Sequence, residues 1–296
     1  MAVTEYPPTW ATPSLTGFRP RCLCLDIETT VDDPVRVLKI GAWRADTDAS
    51  LSLQGELTAQ ALHDGLAQLT TDAAFLLGHN LTEHDLPILK NLYPALSLHA
   101  LPIVDTLWLS PLAFPQNPYH RLVKDYQLIR DSRNDPLKDA QLSFRLFHDQ
   151  VEAFRRLHDE RPGQLACYHF LLGDLAQGYY DRLFMSLRGQ LKPNHEQTRD
   201  IFRNMIQDRV CATHLDGLLQ SDWPRPDERL PFAYVLAWLQ VAGGNSVLPP
   251  WVLRHYPATR RPAQGTAWEA LRKTERWEVV LCQVAVRLEL SGVLDQ

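Results

Sequence analysis

Two acids, Asp26 and Glu28, close the apolar run RCLCLDIETT. Residues two apart in an extended segment project from the same face, so these carboxylates can converge on one cation. Paired hard oxygen donors are what Mg²⁺ or Mn²⁺ takes, although an Asp-x-Glu at a strand end is also an ordinary junction into a loop. Two further segments carry acids in comparable places. In GHNLTEHDLPIL a Gly turn delivers Asn80 and then Asp85 at the opening of a helix, where Asn80 can instead cap the helix and Asp85 can favour its positive end. In NDPLKDAQL, Asp135 can cap a helix with Pro136 at its first position; Asp139 then lies one turn in, as a ligand or as a solvated charge. Three carboxylate elements therefore occur in order, each beside the end of a secondary-structure element and each in apolar surroundings.

The elements that must position these acids are legible from periodicity. RCLCLDIETT reads as a buried strand, VRVLKIGAWRA as a second and SLSLQGEL as a third with alternating polarity, which together suggest a meander. LTAQALHDGLAQL has helical spacing, AFLLGHN is a short apolar strand, LTEHDLPILKNLY a helix and IVDTLWLSPLAF a strand passing into a helix. YHRLVKDYQLI and DPLKDAQLSFRLFHDQVEAF complete an α/β layered domain over 20–150. Residues 1–19, rich in proline, suit an extended arm. From Val151 the strand pattern disappears, and 151–296 reads as a mainly helical accessory region, with segments such as ACYHFLLGDLAQGYYDRLFMSLRGQL and PFAYVLAWLQVAGG.

With LDIETT, GHNLTEHD and NDPLKDA in this order, residues 21–149 resemble the DEDD superfamily of 3′→5′ exonucleases, the RNase T-like branch of the RNase H-like fold. The resemblance implies an RNase H-like mixed sheet and two Mg²⁺ or Mn²⁺ ions that activate a water and stabilise the leaving 3′ oxygen. It implies Asp26, Glu28, Asp85 and Asp139 as the metal-binding carboxylates, with Thr29, Asn80, His84 and Asn134 beside the substrate strand. There is one departure. Where the family's histidine branch places its general base, five residues before the last Asp, this chain has Asn134, and the tyrosine branch's position is Asp135. His120 and Asp125 form an alternative third motif, and His120 is the candidate substitute base or else a capping or core-edge histidine. Two readings follow: a 3′→5′ exonuclease, slow without a good base, or a catalytically weak or inactive module that binds nucleic acid or docks a helicase.

A second resemblance covers residues 20–257. FPQNPYHRLVKDYQLIRDSRNDPLKDA and LAWLQVAGGNSVLPPWVLRHYP are similar to the N-terminal region of large bacterial RecQ-like helicases that carry an exonuclease-like domain ahead of the motor. The implied partners are a nucleic acid, single-stranded DNA 3′ ends first, and a RecQ-like helicase in cis or in trans, in DNA repair or defence. The chain has no G-x-x-x-x-G-K-[ST] phosphate loop, so it is not expected to be the motor.

Composition bounds these readings. The 296 residues carry 30 Lys and Arg against 35 Asp and Glu, a net charge of −5, so no global positive field draws in polyanions and nucleic-acid contact must be local. Basic residues alternate with aromatics between Trp251 and Trp277, as a single-strand platform or as a solvated helix face with its aromatics turned inward. Cys22, Cys24, Cys167, Cys211 and Cys282 are odd in number and mostly in apolar segments, which suggests reduced core residues and a cytoplasmic protein. No basic, apolar leader opens the chain and no window reaches the roughly 18 apolar residues of a membrane span, so export and a membrane partner are not expected.

Overall fold

The apolar run that begins at Cys22 becomes β1 (Cys22–Thr29), with Cys22 to Leu25 wholly buried. Its neighbours explain why. In this computed structural model, which describes residues 21–31, 33–115, 135–206, 224, 226 and 229–241, β1 is the central strand of a five-stranded sheet. β2 (Val37–Arg44) and β3 (Ser50–Gln54) continue from it as the expected antiparallel meander. β4 (Phe75–Gly78) and β5 (Ile103–Asp105) add on the other side in parallel, giving the order β3-β2-β1-β4-β5. The fold is α/β with a mixed sheet. β3 lies at an edge and keeps the alternating half-buried pattern of SLSLQ, as a strand with one wet face does.

The two faces of β1 are covered by different helices. Leu23, Leu25 and Ile27 point into a cluster that includes Leu62, Leu66 and Leu69 of α1 (Ala59–Thr70), whose first turn is capped by the Thr58 hydroxyl accepting the Ala61 N–H at 3.2 Å. Each fully buried leucine contributes about 1.5–3 kcal/mol by leaving water. Leu86 and Leu89 of α2 (Leu86–Leu92) join the same cluster. On the opposite face Trp43 and Phe75 meet Phe144 and Phe147 of α4 (Pro136–Glu160), with ring centroids 5.3 and 5.9 Å apart. α3 (Thr106–Ala113) follows β5 directly.

Clustered by proximity, the described residues up to Leu109, those of 135–152 and Asp174–Gly189 form one unit. Asp174–Gly189 joins the sheet although strand pattern ends near Val151, because Tyr179 of α6 (Tyr179–Arg188) stacks on Phe75 at 4.2 Å. Helical periodicity does not reveal that a helix packs on a sheet. The segment from Ala166 to Leu191, continuous in its spacing, is broken: α5 (Pro162–Leu172) stops before Gly173, and Gln177 and Gly178 take positive φ before α6 begins.

The second unit holds the described residues of Ser110–His120, Ala153–Gly173 and 190 onward. Here α5 is buried on nearly every side and packs with α7 (His195–Ile206) and α8 (Arg229–Val241). Phe202 and Phe232 stack at 4.5 Å, and the buried Gln164 amide donates to the Tyr168 hydroxyl at 2.7 Å. Among the described residues, no helix is long and apolar enough to cross a membrane. Cys22 and Cys24 share one face of β1 with sulfurs 3.7 Å apart, and like Cys167 they are buried and form no disulfide. The arm 1–19, Cys211, Cys282, the YHRLVKDYQLI helix and the basic, aromatic segment 251–277 lie outside the described residues.

Candidate metal centre

Register decides where the first two acids point. Asp26 pairs with Gly41 and Glu28 with Lys39 across β1 and β2, on the face that carries Trp43 and is covered by α4. The register then slips between Glu28 and Thr29, a bulge that ends regular pairing beside the acids; Thr29, half-buried, follows it and pairs with Val37. Gly41 leaves the space that α4 needs. A Cβ there would overlap backbone atoms of Pro136 and Leu137, so only glycine lets the first turn of α4 settle against β2.

That first turn carries Asp139. Asp135 caps it as its sequence suggests, accepting the Lys138 N–H at 3.3 Å, and Pro136 opens the helix. Asp139 is 6% exposed, and one carboxylate oxygen from each of Asp26, Glu28 and Asp139 lies within 4.8 Å of the others. These three are what the structure brings together, from residues 113 positions apart in the chain.

Asp85 reaches its place by a different route. Gly78 ends β4 where a side chain would strike Leu81 and the Leu25 carbonyl oxygen, and Asn80 follows in the left-handed region at φ 68°. Leu81–Asp85 is then a π-helical turn rather than the start of a regular α-helix, as the continuous spacing of LTEHDLPILKNLY suggests. The wider turn sets Asp85 at the junction with α2, and such turns recur at functional sites. Asn80 does not cap the helix with its side chain. Asp85 is buried: Oδ1 lies 2.7 Å from Nδ1 of the half-exposed His84, while Oδ2 has no hydrogen-bond partner among the described residues. Burial pushes the Asp85 carboxyl up from its ordinary value, His84 draws it down, and the negative charges of Asp105 and Glu28 add to the rise. The hydrogen bond to Asp85 raises His84 against its own partial burial, and Glu28 adds to the rise. Asp85 lies outside the 4.8 Å group of three.

One residue of this region is missed by sequence reasoning. Asp105 ends β5 and is 1% exposed; Oδ1 accepts the N–H groups of Asn80 and Leu107, and Oδ2 that of Thr82, each at 2.9 Å. The signal was present in IVDT, an apolar strand ending in an acid as LDIE does. Beside it the Thr106 hydroxyl donates to the Gly78 carbonyl at 3.0 Å and pairs with His79 Nδ1 at 2.9 Å. The Gln150 side chain of α4 donates to the Thr106 carbonyl at 2.7 Å, tying the helix of Asp139 to the strand end of Asp105.

His120, the candidate substitute base, Asn134, which stands where the family's base would be, and Asp125 lie outside the described residues. The donor set of Asp26, Glu28 and Asp139 is all carboxylate oxygen, which suits a hard divalent cation, and the orphaned Asp85 Oδ2 is a buried acceptor that a cation or its water would satisfy. Comparison with family models, with curated proteins and with solved structures finds no match to this chain.

Proposed function

We propose that this chain is a Mg²⁺- or Mn²⁺-dependent 3′→5′ exonuclease of RNase H-like fold, acting on single-stranded DNA ends. The observation that carries the reading is the convergence of Asp26, Glu28 and Asp139 within 4.8 Å, from two separate elements whose order in the chain matches the resemblance. The strand order β3-β2-β1-β4-β5, three antiparallel then two parallel, supports the RNase H-like assignment. The candidate site also lies where the parallel strands β1 and β4 end, the usual place for a ligand in an open α/β sheet.

Asp26, Glu28 and Asp139 would hold the cation, with Asp85 near enough to feel the charge of Glu28 and to complete a second position directly or through water. When bound, two such ions supply Lewis-acid stabilisation of the phosphoryl oxygens and of the departing 3′ oxygen. The chain's own part is orientation. On this reading the bulge after Glu28 and the left-handed turn at Asn80 would present Thr29, Asn80 and the half-exposed His84 to a strand end. With Asn134 where a base is expected, turnover is slow unless His120 or His84 takes the proton, a contribution of about 10²–10⁴-fold.

The test is digestion of 3′- and 5′-labelled single-stranded DNA and RNA with Mg²⁺, Mn²⁺ or EDTA. Stepwise loss from the 3′ end, absent with EDTA and in Asp26→Ala, is expected, and Asn134→His is expected to accelerate it. Metal binding with no cleavage by the parent or by Asn134→His would move the reading to a nucleic-acid-binding or helicase-docking module.

A further inference from the structure

The acid that no chemistry yet employs is Asp105. A buried carboxylate is costly, and this one is 1% exposed, yet it receives three main-chain N–H donors that span a turn. Two of the donors, Asn80 and Thr82, flank Leu81, the first residue of the π-helical turn that ends in Asp85. The third, Leu107, fixes the carboxylate to the start of its own helix, and the Asp105 N–H donates to the buried Tyr180 hydroxyl at 3.2 Å. Asn80 takes the left-handed region at φ 68°, which asparagine tolerates better than most residues, and the Asp105 carboxylate holds the N–H groups on either side of Leu81 in that turn. Charge-assisted bonds to main-chain N–H groups are of the strength this requires.

We propose that Asp105 is a positioning residue for Asp85: its carboxylate clamps the Asn80–Thr82 turn and so sets where the π-helical turn delivers the Asp85 side chain. Both of its oxygens are engaged by main-chain donors, and it lies outside the group of three acids that could hold an ion. The consequence for cation binding rests on the metal reading above; the placement of Asp85 does not. A residue that orients a ligand from behind typically controls metal affinity about 10- to 100-fold.

The two substitutions differ in what they remove. Asp105→Asn can keep the acceptor for Asn80 and Leu107 but turns an amide N–H₂ toward the Thr82 N–H, while Asp105→Ala loses all three bonds. The experiment compares backbone amide shifts of the metal-free full chain, then Mn²⁺ affinity without substrate. The expected result is that Asp105→Asn moves the amide signals of His84 and Asp85 as well as that of Thr82, with a larger movement in Asp105→Ala. Mn²⁺ affinity is expected to fall about 10-fold in Asp105→Asn, and much less when Asp85→Asn is already present. Shifts confined to Asn80, Thr82 and Leu107 would overturn the inference, as would an equal loss of affinity with and without Asp85. If Asp105→Ala does not fold, Asp105→Asn alone decides. If the parent binds no Mn²⁺, the metal reading fails while the Asp85 amide still decides this one.

Discussion

Adding one methyl group at Gly41 should disable the candidate site without touching an acid. The Cβ of Gly41→Ala would lie 2.5 Å from Leu137 Cα and nearer still to Leu137 N and the Pro136 carbonyl carbon, whereas ordinary contact begins at 3.4 Å. All three are main-chain atoms, so no rotamer relieves the overlap, and the first turn of α4 or the strand must yield by about 1 Å, since interiors pack at crystal density. Asp139 is two residues beyond Leu137 on that turn, and Asp26 stands opposite Gly41 in register, so the displacement opens the distance between them. A 1 Å misplacement at a reacting centre costs about 10²-fold in rate. Overpacking costs about 1–3 kcal/mol in stability. The assay is the rate of the proposed 3′-end digestion and the Mn²⁺ affinity of Gly41→Ala at a temperature well below its melting point, beside the parent. A variant that melts a few degrees lower yet keeps the parent's rate and affinity would refute the reasoning, because α4 would then not depend on this gap to place Asp139.

Two other perturbations test separate links. Asp85 and His84 both have pKa values raised in the folded protein, so the folded state holds more protons than the unfolded one. The stability they contribute is therefore lost as pH rises from the ordinary carboxylate value through that of folded Asp85, and again through that of folded His84. Asp85→Asn keeps an acceptor for His84 and removes the buried charge, so in EDTA it should melt higher than the parent at pH 7 and show a flatter dependence of melting on pH; a lower melting point would mean that Asp85 is not a strained acid. Phe75→Ala removes the ring that meets both Phe147 and Tyr179 under the sheet and should cost about 3–5 kcal/mol, read by urea unfolding. A loss below 1 kcal/mol would show that α4 and α6 do not hold the sheet through this ring.

Much of the architecture is legible in the chain because it rests on local pattern. The all-apolar CLCL run marks a strand covered on both faces, SLSLQ marks an edge, and Asp135-Pro136 marks the start of α4. The convergence of Asp26, Glu28 and Asp139 was expected from order and resemblance, and the geometry has a cause that the sequence hides: Gly41, in an ordinary strand pattern, has no visible reason to be glycine until α4 is seen against it. Asp105 was hidden for a related reason. Its bonds run to main-chain N–H groups, which every residue but proline possesses, so no partner type advertises it. The π-helical turn was also invisible, since apolar spacing at 81, 86 and 89 fits a regular helix with one residue of slack. The break before α6 escaped because Gln177 takes a positive φ that its type does not signal.

What these hidden features share is a physical requirement of the site itself. On the metal reading, an acid that holds a divalent cation is poorly positioned by a lysine or arginine, whose charge competes with the ion and lowers its affinity. Backbone geometry can supply the position without adding a positive charge. Strand register supplies it for Asp26 and Glu28, and a helix start seated over a glycine supplies it for Asp139. A turn clamped through its main-chain N–H groups supplies it for Asp85. Burial first, and then the charges of Asp105 and Glu28, raise the pKa of Asp85 against the pull of His84 on Oδ1, and Oδ2 is the oxygen that a cation or its water would relieve. On the metal reading, acids fixed through the main chain are held close together before any ion arrives, and that preorganisation favours an incoming cation over collapse of the site.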